Sequence, residues 1–342
     1  MRNLSLSRAL NIFIKFFIFC AFIDLSAGLT PFTPLPFDAV KIEKKLKEFY
    51  SGKRVLVTGG AGFIGSHLVD KLIEYGAQVT VLDNFSTGAI NNLKNACNHV
   101  TILYSDITNQ ESVFTATKDK DVVFHFAAFI SVPLSIKEPE RCYKINIDGT
   151  KNLLEGCRAN KVPVFIFSSS CAVYGDSDKI LTEESPLAPI SPYAQSKIAG
   201  ETLCKEYSHL GIHAVALRYF NVYGDRQDPS GYYAAVVSKF SYNLEHKLPL
   251  IIFGDGTQTR DFVHVSYIVL ANLIMGMYPA DGDIFNIASG KSINLFQLIS
   301  YLEKIYGQNT AGINFKPKRA GDILHVTASG EKFLNYVKKI FT

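Results

Sequence analysis

No pair among the six cysteines (Cys20, Cys97, Cys142, Cys157, Cys171 and Cys204) stands at a metal-ligand spacing, so no metal site is expected. Most lie in apolar or helical surroundings, where a small buried thiol is the ordinary role and a disulfide the minority one. Blocks of like charge are missing as well. The 35 basic and 31 acidic residues are scattered and leave a net charge of +4, so no polyanion-binding surface is advertised and nucleic acid is not an expected partner. Long apolar runs are equally scarce. The run from Ala9 to Ile23 is broken by Lys15 and falls short of the roughly 20 residues that span a bilayer. Arg2 and Arg8 before it and Ser26, Ala27 and Gly28 after it still resemble an export signal or a single anchor. Two readings of residues 9–27 stand: membrane association or export, and a start-site artefact with a loose tail. In an anchored chain, basic residues ahead of the run would place the body outside.

With 342 residues, 47% of them hydrophobic, the chain can build one wide domain or two joined ones. Residues 1–50 divide into the hydrophobic segment, an extended linker at Pro31, Pro34 and Pro36, and a short capping helix over Ile42 to Phe49, where lysines alternate with apolar residues. Beyond them, short apolar runs at Arg54 to Val57, Gln78 to Leu82, His99 to Tyr104, Asp121 to Phe126 and Val164 to Phe167 alternate with helical stretches, one through Tyr75 and one over 139–160. That alternation predicts an α/β fold, a doubly wound parallel sheet with right-handed crossovers, over 51–220. A smaller carboxyl-terminal α/β lobe is expected over 221–342.

The stretch Arg54 to Ser66, RVLVTGGAGFIGS, is the centre of this arrangement. Gly59, Gly62 and Gly65 follow the first strand at three-residue steps and lead through Phe63 and Ile64 into an amphipathic helix. Such a turn needs glycine to leave the strand tightly, to let a pyrophosphate approach the backbone, and to pack the helix on the sheet. The helix dipole and its unpaired N–H groups then hold the phosphates. Asp83, at the end of the second strand, stands where an acidic residue takes adenosine ribose hydroxyls. It would repel a ribose phosphate, and Asn84 and Phe85 bring no arginine to neutralise one, so NAD is expected over NADP. Dependence on NAD in turn favours a cytoplasmic location over an exported one. Asp106, followed by Ile107, lies either beside the adenine or in a helix cap for Thr108 onward. Ala127 and Ala128 are small enough to let the backbone run close to the cofactor.

Ligands of such sheets collect at the carboxyl ends of the strands, where Ser168, Ser169 and Ser170 stand. Three serines can be no more than a hydrogen-bonded turn. Tyr193 and Lys197 add to the case: Pro192 suits a first helical turn, and residues at i and i+4 share a face. A free tyrosine titrates near about pH 10, and a base at neutral pH needs a bias of roughly 4 kcal/mol. The ammonium and a nicotinamide ring both act in that direction. Ser170 would then hold the substrate hydroxyl in line.

These residues resemble the extended short-chain dehydrogenase/reductase proteins of the NAD-dependent epimerase/dehydratase group. The likeness rests on TGGAGFIG at Thr58 to Gly65, LDN at Leu82 to Asn84, HFAA at His125 to Ala128, SSSCAVYG at Ser168 to Gly175 and SPYAQSK at Ser191 to Lys197. LRYFNVYGDRQDP at Leu217 to Pro229, GDGTQTRDFVHV at Gly254 to Val265 and RAGD at Arg319 to Asp322 resemble the nucleotide-sugar 4-epimerases. The resemblance implies a catalytic set of Ser170, Tyr193 and Lys197, with Asn146 supporting the lysine. It implies that Tyr219, Asn221, Arg260 and Asp322 contact the nucleotide sugar, and that the enzyme is a homodimer. A guanidinium grips a diphosphate in a fork that lysine cannot copy, although an ion pair of Arg260 with Asp261 is the plainer alternative.

The implied reaction is an NAD-dependent UDP-hexose 4-epimerisation through a 4-keto sugar. Sugar dehydratases carry acids where this chain has Cys171 and Ala172, and decarboxylases of the group carry a glutamate at the Ala172 position. Val326 stands where glucose-restricted epimerases resemble one another in having tyrosine, which leaves room for an N-acetyl group. UDP-N-acetylglucosamine and its galacto epimer are therefore expected alongside UDP-glucose and UDP-galactose. A UDP-glucuronate 4-epimerase and a silent NAD-binding scaffold are the alternatives. The chain departs from the pattern at Tyr267, where relatives have an acid, and in ending at Thr342, short of the closing segment of most relatives, which implies either a truncated reading frame or a weakened carboxyl-terminal lobe.

Overall fold

A computed structural model describes residues 39–229, 235–318 and 324–342. Asp322 and residues 9–27 therefore lie outside the described residues, and among those described no helix is long and apolar enough to cross a membrane.

Helix α1 (Ala39–Tyr50) buries Ile42, Leu46 and Tyr50 and leaves its lysines outside, the 3.6-residue pattern of a surface helix. Strand β1 (Arg54–Thr58) follows, then α2 (Phe63–Glu74), β2 (Gln78–Asp83), β3 (Val100–Tyr104), α3 (Gln110–Thr117) and β4 (Val122–His125). After α4 (Val132–Lys137), the helical stretch expected over 139–160 is built as α5 (Pro139–Tyr143), a π turn over Lys144–Asp148, and α6 (Gly149–Ala159). Strand β5 (Val164–Ser170), the short β6 (Ile180–Leu181), α7 (Pro192–Ser208) and β7 (His213–Tyr219) complete this part.

The main sheet has seven strands in the order β11-β7-β5-β4-β1-β2-β3, where β11 is Ile284–Ile287, and every pairing is parallel. From β1 the chain winds outward through β2 and β3, then returns to β4 and winds the other way. The order therefore reverses between β1 and β4, and a crevice opens there at their carboxyl ends. Leu56, Val123, Phe165 and Phe167 on one face of the sheet pack with Leu153, Leu154 and Cys204 from α6 and α7.

The rest of the chain supplies β8 (Asn221–Tyr223), α8 (Val236–Glu245), β9 (Leu250–Phe253), β10 (Thr259–His264) and α9 (Val265–Met277) before β11. Strand β12 (Ser292–Asn294), α10 (Leu295–Tyr306), β13 (Ile313–Lys316), β14 (Thr327–Ala328) and α11 (Glu331–Phe341) come after it. Strand β10 is central in a small sheet with β8 and β12, and α8, α10 and β9 bury a separate core around Phe240, Leu250, Ile252 and Leu298.

Helix α9 is apolar almost all round because it is buried almost all round, against β4, β5 and α2. The Tyr50 hydroxyl donates to its Leu273 carbonyl at 2.8 Å, which ties α1 to it. Tyr267 of α9, where an acid was expected, is buried and meets the Phe333 ring of α11 edge-on at 6.1 Å. Phe333 also meets Phe285 of β11, and Lys41 donates to the Phe341 carbonyl at 3.0 Å. The terminal helix is thus docked at both ends. His264 caps α9 by accepting from the Ser266 amide, so the tyrosine costs the helix no cap.

Candidate active site

Gly59 leaves β1 at φ +68°, in the left-handed region, and a Cβ on it would stand 2.6 Å from the Ala127 nitrogen. A side chain on Gly65 would collide with the Gly59 carbonyl, so this glycine lets α2 pack on the turn. Gly62 caps α2 without offering its first-turn amides any side-chain partner, which leaves that end of Phe63 and Ile64 to an anion. Gly60, not singled out in the sequence, is also required: its Cβ would meet Val81 at 2.8 Å.

Asp83 is buried, with its carboxylate accepting from the Ala61 amide at 2.9 Å and the Phe85 amide at 2.8 Å. Burial raises its pKa and the two amides oppose the rise. Its first task is therefore to bind the glycine turn to the end of β2. Asp106 accepts from both the amide and the hydroxyl of Thr108, and from the Asn84 side chain at 2.7 Å. Burial pushes its carboxyl up, but these donors and Lys144 outweigh it and hold it below its usual value. Asp106 does not cap the following helix; that cap is Asn109, whose side chain accepts from the Ser112 amide. The Ile107 side chain is buried against Gly149. Ala127 and Ala128 are half-buried at the end of β4.

Ser191 caps α7 and accepts from the Ala194 amide at 3.2 Å, which starts the helix one residue before Pro192. Tyr193 and Lys197 then project from one face. The Lys197 ammonium donates to the Ser168 carbonyl at 2.7 Å and lies 5.7 Å from the Tyr193 ring centroid and 5.0 Å from that of Phe167. Burial lowers its pKa to about 8, with nearby Cys142 and Glu201 opposing. Ser170, at the tip of β5, accepts from the Ala172 amide and hydrogen-bonds the Tyr193 phenol.

The expected depression of that phenol is not supplied by the protein. Burial pushes it up to about 12, with the Ser170 hydrogen bond opposing. The reason is orientation, since Lys197 is turned toward the Ser168 carbonyl and the ring face.

Asn146 lies in the π turn and is buried. Its side-chain oxygen accepts from the Phe129 amide at 2.7 Å, and its nitrogen donates to the Phe129 carbonyl at 3.0 Å and the Ser196 hydroxyl at 2.9 Å. It thus reaches α7 beside Lys197, at Ser196, and holds the β4–α4 connection to it. A π turn of this kind is a frequent mark of a functional site.

Among the sugar-side candidates, Tyr219 is buried and its hydroxyl donates to Asn272 at 3.0 Å, 3.3 Å from Ser168, so its phenol is committed to the core. Asn221 donates to the Asp261 carbonyl at 3.2 Å. Arg260 donates to the carbonyls of Thr259 and Leu324 at 2.9 and 3.0 Å. Burial raises the Cys171 thiol to about 12, with the Arg260 charge opposing. The Asp261 carboxylate accepts from Ser289 and Gly290. Val326 is buried, beside Leu324 and β14.

Sequence reasoning missed a polar layer behind the site. Arg218 and Glu201 form a bidentate pair at 2.8 and 2.7 Å, both nearly inaccessible, and Glu201 also accepts from Ser169 at 2.5 Å. No local signal marks the pair; the spacing of Lys197 and Glu201 on one helix face was the only hint.

The family model described as "NAD dependent epimerase/dehydratase family" matches residues 55–288. The chain is 42% identical over 275 residues to the putative UDP-glucose 4-epimerase of Methanocaldococcus jannaschii, covering 80% of this chain and 88% of that one. It is 36% identical over 245 residues to the UDP-N-acetyl-alpha-D-glucosaminuronate decarboxylase of Bacillus cytotoxicus, covering 69% and 75%. A solved UDP-N-acetylglucosamine 4-epimerase from Methanobrevibacter ruminantium M1, in complex with UDP-N-acetylmuramic acid, superposes with a TM-score of 0.79 at 40% identity over 82% of this chain and 91% of that one. With a glycine turn shaped for a dinucleotide and a tyrosine–lysine face at the carboxyl end of β5, this chain belongs to the NAD-dependent epimerase/dehydratase family.

Proposed function

We propose that the chain interconverts the 4-epimers of UDP-hexoses, with UDP-N-acetylglucosamine and UDP-N-acetylgalactosamine among its substrates. One observation carries the reading: Tyr193, Ser170 and Lys197 converge beside a turn that holds Cys171 and Ala172 and no carboxylate. Epimerisation at carbon 4 needs one group to move a proton and no acid to expel a hydroxyl or a carboxyl. Similarity to UDP-sugar 4-epimerases supports it.

The first-turn amides of α2, Asp83 and the Ala127–Ala128 backbone are the residues that would hold NAD. When bound, NAD supplies a reversible hydride acceptor and a positive ring charge. Tyr193 takes the proton of the sugar 4-hydroxyl while Ser170 holds that oxygen in line. Lys197, fixed by the Ser168 carbonyl, keeps a positive charge under the phenol ring. A 4-keto sugar results. Arg260 and Asn221 hold the diphosphate and nucleotide while the sugar turns over, and Tyr193 returns the proton to the new 4-oxygen. Val326, in place of the bulky tyrosine of glucose-restricted relatives, supports the reading that an N-acetyl group is accepted.

Residues 51–220 then form the cofactor half and 221–342 mainly the sugar half, and the enzyme works as a homodimer, which light scattering on a sizing column checks. Incubation with UDP-N-acetylglucosamine, UDP-glucose and UDP-glucuronate, followed by product analysis, tests the activity. The galacto epimer of the N-acetyl sugar is expected, and three unchanged substrates would reject the proposal.

A further inference from the structure

His125 and the threonines on either side of it in space belong to no step above, yet they make an unbroken chain of buried hydrogen bonds. Thr58 Oγ1 lies 2.8 Å from His125 Nδ1, and His125 Nε2 lies 2.9 Å from Thr150 Oγ1. Thr150 Oγ1 lies 2.6 Å from the Asn146 carbonyl, and the Ala127 amide donates to Thr58 Oγ1 at 3.3 Å. Thr58 and Thr150 are fully buried and His125 is 2% exposed, so no solvent completes these groups.

Only one placement of protons satisfies the whole chain with a neutral ring. A carbonyl can only accept, so Thr150 donates its single proton to Asn146. It must then accept from the ring, which puts the imidazole proton on Nε2. Nδ1 is left bare and takes the proton of Thr58, whose lone pair takes the Ala127 amide. A second ring proton would leave the Thr58 hydroxyl proton without an acceptor. Burial first, and the Lys197 charge second, push the ring down to about 3, in keeping with a neutral imidazole.

Both ends of the chain lie in the site. The Ala127 nitrogen is pressed against Gly59, where even a Cβ would not fit. The Asn146 side chain donates to Ser196, whose hydroxyl donates to the Tyr193 carbonyl at 2.7 Å. We propose that His125 is a positioning residue: as a neutral Nε2–H imidazole it couples the glycine turn, through Ala127 and Thr58, to the π turn that holds the helix of Tyr193 and Lys197. Only the turnover part of this inference rests on the epimerase reading.

The test uses the full chain with NAD and two substitutions. Thr150→Val cuts the chain at nearly constant volume, and Thr150→Ser keeps the hydroxyl. Nitrogen NMR of the wild-type imidazole should show a protonated Nε2 and a bare Nδ1. In Thr150→Val the ring proton should stay on Nε2, since a proton on Nδ1 would strand the Thr58 hydroxyl, but its resonance should shift with the acceptor gone. The orphaned donor loosens the chain, and the Ala127 amide should exchange with solvent about tenfold faster. Turnover of UDP-N-acetylglucosamine should drop by a similar factor with KM little changed, and Thr150→Ser should restore all three readouts. A wild-type ring protonated at Nδ1, or an Ala127 amide indifferent to Thr150→Val, overturns the proposal. If tautomer and exchange behave as stated while the wild-type chain epimerises nothing, the coupling stands and the epimerase reading fails.

Discussion

Burial separates the two titrating groups of the site, lifting the Tyr193 phenol to about 12 and lowering the Lys197 ammonium to about 8. The phenol needs the added positive charge of a nicotinamide ring before it can act as a base near neutrality. Tyr193→Phe should therefore cut turnover by about 100-fold or more while NAD stays bound, measured by steady-state rates and cofactor content after gel filtration. Turnover should also fall as pH rises through about 8, where Lys197 loses its charge. The same shift has a consequence for stability. The folded-state pKa lies below the ordinary 10.5, so between about 8 and 10.5 the unfolded chain binds more protons. Stability from this group then rises with pH across that window. Wild type should gain on Lys197→Met in urea midpoint between pH 7.5 and 10. The i, i+4 pair was legible in the sequence because helical spacing is local. The raised phenol and the hydroxyl of Tyr219 committed to Asn272 were not, because each depends on residues far along the chain.

Helix α7 is held at its start by Ser191, in its second turn by Asn146 through Ser196, and in its middle by the Glu201–Arg218 pair to β7. Removing one partner of a buried pair leaves a charge stranded in low dielectric, so Arg218→Met should cost about 3–5 kcal/mol in urea unfolding. Replacing both, with Glu201→Leu added, should recover much of the loss, because no charge is then left stranded; the Ser169 hydroxyl, which loses its acceptor, keeps the recovery partial. Strands β1 to β5 were readable from their apolar runs and the glycine turn from its spacing. The π turn was not. Residues 139–160 carry an ordinary helical pattern, and the extra residue per turn answers to a tertiary demand, the seating of Asn146 between Phe129 and Ser196.

At the scale of the whole molecule, β11 is the edge strand beside β7, α11 covers it with Phe333 and Tyr336, and Phe341 at the end of that helix meets Tyr278. The sequence placed no strand there, since four residues give too short a pattern to separate from a loop. Phe333 is almost fully buried between Tyr267 and Phe285, so Phe333→Ala should destabilise the fold by about 3–5 kcal/mol, read from denaturant midpoints. This docking joins the last helix to the strand beside β7 and so to the sheet that carries the site.

The central claim, that one proton-moving tyrosine beside a bound NAD inverts carbon 4 of a UDP-hexose, is tested most directly by isotope. UDP-N-acetylglucosamine deuterated at carbon 4 is incubated with the purified protein, and the product is analysed by mass spectrometry and NMR. The account predicts the galacto epimer with deuterium still on carbon 4 and no net NADH. Deuterium lost to solvent, or NADH accumulating with a released ketone, would contradict it.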